Sequence, residues 1–157
     1  MAPHFVPPVS IILAAARTRY IDGLTAFRGA DVALWVERFV SASARAARLA
    51  SAYVDAVRQL QARWRAQLSE SGTAPRAGAE AWAIIGALPA HPVITGPTAT
   101  VATGRVKTAA YAGIEQLVLA GVLLPLKTSK RNRSWEAVGL LNLVERLDSG
   151  EMPEARG

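Results

Sequence analysis

The chain has 157 residues, of which 51% are hydrophobic and 19% charged, a composition that predicts order over most of its length and indicates one ordinary domain or two very small ones. It has no cysteine, and its two histidines, His4 and His91, lie far apart beside prolines, so we predict no metal site and no cofactor. The formal net charge of +6 favours an acidic partner such as nucleic acid. The most apolar stretches fall short of the roughly 18 residues of a membrane span, so we expect a cytoplasmic protein without a membrane partner.

The first half of the sequence predicts two amphipathic helices. Apolar residues recur at helical spacing over 10–29, after a good N-cap serine. A longer helix should begin at an aspartate and occupy 31–68, with an apolar stripe that includes Trp35 and Trp64. Arginines cover its other faces, either as a track for phosphates or, as we expect, as a solvated surface.

A linker is predicted at 69–79, where serine, glycine, proline and alanine occur without any apolar period. It separates a helical segment, 1–68, from a second domain at 80–150. Residues 151–157 are expected to form a frayed tail. The sequence before the linker predicts only helices, whereas the sequence after it predicts both helices and strands.

The second domain begins with short elements. The pattern predicts a short helix over AEAWAIIGALPAH, an extended piece at 93–95 and a small helix between Gly96 and Gly104. A longer helix follows over RVKTAAYAGIEQLVLAG, and Gly121 is placed to close it in the left-handed conformation. Its inward positions should be Ala110, Ile114 and Leu117.

A hairpin and a last helix complete the predicted order. VLLPL and SWEAV are short β-favouring runs separated by the polar loop KTSKRNR, and GLLNLVERL forms the final helix. Helix, strand, helix, turn, helix, hairpin and helix is the order of a winged helix-turn-helix domain, with its turn at 102–104. We therefore predict a mainly α fold: a long helical hairpin segment followed by a winged helix-turn-helix domain with a small β-hairpin wing.

Basic residues are concentrated on the part of this domain that would face DNA. Between Arg105 and Arg133 there are six basic residues against one acid, Glu115, and strand alternation should direct Trp135 into the core. Cations near the helix start can reach a guanine edge or a phosphate. The predicted DNA-binding residues are Arg105, Lys107, Thr108, Tyr111, Lys127, Lys130, Arg131 and Arg133. The alternative is a protein-docking or dimerisation module whose loop cations only prevent edge pairing.

Two stretches resemble a known family. PPVSIILAAARTRYIDGLTAFRGADVALWVERFV is similar to the part of Fic/DOC proteins that follows their active-site motif. HPVITGPTATVATGRVKTAAYAGIEQLVLAGVLLPLKTSKRNRSWEAVGLLNLVERL resembles the winged-helix module at the C-terminus of longer members. The resemblance covers residues 3–150 and implies a relation to protein adenylyltransferases, whose signature has the form H-P-F-x-[DE]-G-N-G-R. No such string occurs here, and neither His4 nor His91 stands in that context.

The missing signature limits the expected activity. The chain begins just after the position where the signature should end, so we expect a C-terminal part of such a protein, without AMP transfer of its own. The first expectation is a DNA-binding winged-helix protein or fragment. The alternative is the scaffold or target-recognition half of a truncated or split Fic adenylyltransferase that acts through protein contacts. An uncovered Trp35 and Trp64 stripe would also favour a homodimer through 31–68.

Overall fold

A computed structural model describes residues 21–22, 24–25, 32–72, 75–76, 79–126 and 133–149. Residues 21, 22, 24 and 25 are helical. The rest of the predicted first helix, 10–29, lies outside the described residues. The further elements, in chain order, are α1 Val32–Glu70, α2 Glu80–Ala87 with a 3-10 turn at Leu88–Ala90, β1 Val93–Thr95, α3 Gly96–Thr103, α4 Lys107–Leu119, β2 Leu123–Pro125, β3 Ser134–Ala137 and α5 Leu140–Ser149. The predicted mainly α fold with a small β wing is confirmed.

The described chain divides into two compact units. One consists of the residues up to Ala56 together with Leu143–Ser149, and the other of Val57–Asn142. One boundary lies inside α1, upstream of the predicted linker at 69–79, and the other lies inside α5, after Asn142. The last turns of α1 therefore belong to the same unit as the winged helix-turn-helix elements.

Helices α2, α3 and α4, the sheet, the last turns of α1 and the start of α5 form the core of the 57–142 unit. The predicted inward residues of α4, Ala110, Ile114 and Leu117, are fully buried, as expected from their spacing on one helix face. Trp135 on β3 is 2% exposed, which confirms its predicted place in the core. The other large side chains that are almost fully buried in this unit are Trp64, Leu68, Ile84, Ile85, Leu88, Ile94, Val122, Leu123 and Leu140.

The sheet has three antiparallel strands in the order β1-β3-β2. The central strand pairs Trp135 with Ile94 on one side and with Pro125 on the other. β2 and β3 form the predicted hairpin, extended by a hydrogen bond from the Leu126 N–H to the Ser134 carbonyl at 2.9 Å. The hairpin tip, 127–132, lies outside the described residues, and so do the predicted DNA contacts at its three cations, Lys127, Lys130 and Arg131.

Glycines set the ends of the two helices of the helix-turn-helix. Gly104 has a φ of 68°, and its N–H bonds to the Thr100 carbonyl at the end of α3. The turn therefore comprises Gly104–Val106, and the predicted position at 102–104 is wrong because residues 102 and 103 still belong to α3. Gly121 has a φ of 72°, which confirms its predicted left-handed conformation after α4.

The last part of α1 packs within the 57–142 unit. Trp64 is 1% exposed and donates an indole hydrogen bond to the Val138 carbonyl at 3.2 Å, while Gln61 donates to the Ile85 carbonyl at 3.1 Å. The expectation that the stripe is uncovered at Trp64 is therefore wrong, because the turn after β3 covers it.

In the unit that holds the residues up to Ala56, the N-terminal part of α1 exposes apolar side chains to solvent. Val36, Phe39 and Val40 are 45%, 42% and 58% exposed, and the rings of Trp35 and Phe39 stack with centroids 5.4 Å apart. Further along, α1 contributes a narrow row of small and aliphatic residues to the core of this unit. The buried apolar residues of the unit are Ala46, Leu49, Ala50, Ala52, Leu143 and Leu147.

Candidate nucleic-acid interface

The first turn of α4 is exposed and lacks a side-chain cap. Val106 is the N-cap residue, in extended conformation, and it has no side-chain acceptor for the free N–H groups of the helix. Lys107 and Thr108 follow in the first turn, and both are exposed. Uncapped N–H groups and the positive end of the helix dipole make this terminus attractive to a phosphate.

Two cations are connected through a pair of aromatic rings. The Lys107 Nζ lies 6.0 Å from the ring centroid of Tyr111, whose ring meets Trp135 edge to face at 6.3 Å between centroids. The Arg133 guanidinium carbon lies 5.1 Å from the Trp135 ring centroid. These contacts define an aromatic ladder, Lys107–Tyr111–Trp135–Arg133, that joins the start of α4 to the base of the wing. The Lys107 Nζ and the Arg133 guanidinium carbon therefore lie no further apart than the sum of these three distances.

A buried carboxylate lies behind the turn that precedes α4. Glu80, at the start of α2, has a side chain only 8% exposed, and its Oε2 lies 3.7 Å from the Nε of Arg105, whose side chain is 59% exposed. The other carboxylate oxygen, Oε1, is buried and has no hydrogen-bond partner among the described residues. This ion pair approaches Arg105 through Nε, so that the terminal amino groups of the guanidinium are left for another acceptor.

A cleft of about 290 Å³ lies between the C-terminal half of α4 and the base of the wing. Glu115, Val118 and Leu119 line it from the helix, and Arg133 and Trp135 from β3 and the residue before it. Leu119 is 75% exposed although it belongs to the helix that would face DNA. The cleft thus combines apolar walls with one acid and one base.

The positive charge of the protein belongs to the 57–142 unit. Its sequence has ten basic and four acidic residues, which gives a net charge of +6, whereas the remaining sequence has eight of each. The unit therefore accounts for the whole formal net charge of the chain. Such a distribution attracts a polyanion to one part of the molecule.

Most predicted contact residues that the structure describes are exposed. Arg105, Lys107 and Thr108 lie together around the start of α4, and Arg133 is exposed at the base of the wing. Tyr111 is different: its ring is half-buried between Trp135 and the backbone of Gly96, so it supports the helix rather than projecting from it.

Sequence reasoning did not find three residues of this region. Glu80 and Gly96 are distant in sequence from the residues they contact, and no local pattern indicated either contact. Val106 offered a signal, because an apolar residue between Arg105 and Lys107 interrupts a basic stretch just before a helix.

Comparisons with known proteins do not identify the chain. No protein-family model matches it, and no curated protein matches it either. The resemblance to Fic/DOC proteins therefore stays a prediction that rests on the residues quoted above. Among the residues that the structure describes, no helix combines the length and the apolar character that crossing a bilayer requires.

Proposed function

We propose that the 57–142 unit binds double-stranded DNA, with the first turns of α4 in the major groove and the wing against the backbone. In winged helix-turn-helix proteins the second helix of the motif is the one that reads base edges. Here that helix has an uncapped N-terminus beside two exposed cations, Arg105 and Lys107. The net charge of the unit supplies the long-range attraction to phosphates.

The aromatic ladder is the observation that carries this proposal. The ring of Trp135, its buried centre, lies 5.1 Å from the Arg133 guanidinium carbon at one end, and the half-buried Tyr111 ring lies 6.0 Å from the Lys107 Nζ at the other. Long basic side chains lose rotamer entropy when they bind a phosphate. Aromatic contacts that restrict the two cations beforehand reduce this loss.

The test is a fluorescence-anisotropy titration of a labelled mixed-sequence duplex at several salt concentrations. Each phosphate contact contributes about 0.9 to the slope of log affinity against log salt. Lys107→Ala and Arg133→Ala should each weaken binding and lower that slope by about 1. Arg63→Ala is the matched control, because Arg63 is an exposed base on α1 of the same unit, and it should leave the slope unchanged. Binding that is absent, or independent of salt, would contradict the proposal.

The cleft beside α4 favours a second candidate, a protein-docking module. Leu119 and Glu115 are exposed on α4, and neither an acid nor a leucine is favoured against a phosphate backbone. In that case the chain acts as the scaffold or target-recognition half of a truncated or split Fic adenylyltransferase. Leu119→Ser should then abolish partner binding, whereas it should leave salt-dependent DNA affinity within about twofold if the first proposal is right.

A further inference from the structure

The guanidinium of Arg105 is attracted at one edge by a carboxylate from another helix. Glu80 Oε2 lies 3.7 Å from the Arg105 Nε, a distance longer than a hydrogen bond, so the attraction is that of an ion pair. The two terminal amino groups lie at the other end of the planar guanidinium. More than half of the Arg105 side chain is exposed, whereas that of Glu80 is buried. The ion pair therefore takes the Nε edge and leaves the terminal donors for a ligand.

Glu80 has little room to follow the arginine into solvent. Its stem lies against the backbone of α4, because a Cβ at Gly113 would be 3.0 Å from the Glu80 Cγ. It also belongs to the first turn of α2, where the helix dipole favours a carboxylate. Its other oxygen, Oε1, is buried and has no hydrogen-bond partner among the described residues. A carboxylate packed in this way is a fixed charge that can orient the nearest cation.

The chemistry of the free end restricts what Arg105 can recognise. Two parallel N–H donors in one plane match two acceptors in one plane, as on guanine O6 and N7 or on a phosphate. A phosphate contact depends mainly on net charge, which the neighbouring carboxylate partly cancels, whereas hydrogen bonds to a base edge depend on donor direction. Arg105 also lies directly before α4, at the end of a recognition helix that contacts base edges. Both observations favour guanine.

We propose that Arg105 recognises guanine through O6 and N7 in the major groove, and that Glu80 is the positioning residue that orients its guanidinium. This inference rests on the proposed DNA binding. It names the preferred ligand as duplex DNA with a guanine opposite the start of α4. Lys107 and Arg133, which no described carboxylate neutralises, supply affinity through phosphates, and Arg105 supplies base selection.

The test compares an alternating G–C duplex with the same duplex built from 7-deazaguanine, in which a C–H group replaces the N7 acceptor. The alternating sequence presents guanines in every register, so no operator has to be known. Wild-type protein should bind the guanine duplex about tenfold more tightly, the effect of one charge-assisted hydrogen bond. Arg105→Gln, checked for folding by circular dichroism, should bring the ratio of the two affinities close to one.

Glu80→Gln distinguishes positioning from a structural role. The amide keeps the shape of the side chain but removes its charge. The affinity ratio should fall to about threefold, because the long arginine side chain must then be immobilised on binding. Affinity for the 7-deazaguanine duplex should rise about twofold, since Arg105 is no longer neutralised. A merely structural role would lower both affinities and leave their ratio unchanged. Glu70→Gln, the same change at an exposed acid at the end of α1, should preserve the ratio.

The outcomes separate this inference from the proposed function. Equal wild-type affinities for the two duplexes, with binding still dependent on salt, would overturn the inference and leave the proposed function standing. A Glu80→Gln protein with the full wild-type ratio would overturn the positioning role of Glu80. If the wild-type protein binds no duplex at all, both the inference and the proposed function fall.

Discussion

At the scale of single residues, the pair of Glu80 and Arg105 offers the clearest prediction. The carboxylate is almost fully buried, and Arg105 is its only ion-pair partner among the described residues. Arg105→Gln should lower the free energy of unfolding by about 1–3 kcal/mol, because a buried acceptor then loses the cation that compensates it. Urea denaturation measures this change as a lower midpoint. Arg105→Lys keeps the charge and should recover part of the loss; an unchanged midpoint for Arg105→Gln contradicts the pairing.

Gly96 and Gly113, which lie in helices rather than in turns, provide the second prediction. A Cβ at Gly113 would lie 2.9 Å from Ile84 Cδ1 and 3.0 Å from Glu80 Cγ, and one at Gly96 would overlap the ring of Tyr111. Gly113→Ala and Gly96→Ala should therefore each cost about 1–3 kcal/mol of stability through overpacking. Thermal unfolding followed by circular dichroism measures the effect.

Gly86 is the matched control for this prediction. It lies in α2 with nothing within 4 Å of its would-be Cβ. Gly86→Ala should stabilise the protein by about 0.5 kcal/mol, because alanine loses less backbone entropy in a helix. If all three variants behave alike, the packing of α4 against α2 and α3 is not as described.

These residues also show what the sequence can and cannot predict. The burial of Trp135 follows from strand alternation, and that of Ile114 from helical spacing, because both are local periodicities. The roles of Tyr111 and Gly113 depend on which helix lies opposite them, and spacing alone does not contain that information. Gly113 is buried against α2, where its small size is needed.

At the scale of elements, the C-terminal part of α1 should stabilise the winged helix-turn-helix unit. Trp64 is buried and bonds to the Val138 carbonyl after β3, and Leu60 lies 3.5 Å from the Cβ position of Gly139. Trp64→Ala should lower the free energy of unfolding by about 3–5 kcal/mol, and Trp64→Phe by about 1 kcal/mol through the lost hydrogen bond. Guanidinium denaturation distinguishes these values.

The control for this element is the neighbouring Arg63, which is exposed on the same turn of α1. Arg63→Ala should stay within about 0.5 kcal/mol of the wild type. If Trp64→Ala is as stable as Arg63→Ala, the part of α1 that follows residue 57 does not stabilise the winged helix-turn-helix unit. The sequence predicted the extent of α1 well, since its stripe is long and regular. It did not predict which element covers the stripe, because that contact spans more than seventy residues.

The turn and the wing also show that local features can be predicted from the sequence, whereas contacts between distant elements cannot. Gly104 was expected to end α3, and its positive φ agrees with that; only the extent of the turn was misplaced. The hairpin was predictable because two β-favouring runs flank a polar loop. The third strand, β1, pairs with β3 across some forty residues of chain, and the sequence showed it only as a short extended piece.

At the scale of the whole molecule, the N-terminal part of α1 is the surface through which we expect two copies to associate. Val32, Val36, Phe39 and Val40 are between 42% and 58% exposed, whereas the predicted interface over 31–68 is already covered at Trp64. Burying this row against a second copy removes apolar area from water.

Sedimentation equilibrium should therefore show a dimer for the wild-type protein and a shift to monomer for Val40→Lys. Val101→Lys places the same charge at an 84% exposed position on α3 and should leave the dimer intact. A wild-type protein that stays monomeric at high concentration contradicts this expectation.

The most direct test of the central claim, that the start of α4 and the base of the wing together contact duplex DNA, is a heteronuclear NMR titration of the ¹⁵N-labelled protein with a mixed-sequence duplex. We predict that the largest amide shifts occur at residues 104–112 and at 133–135, that they weaken with added salt, and that residues 58–67 of α1 remain unchanged. Shifts concentrated around Leu119 in the cleft, or no shifts at all, would contradict the account.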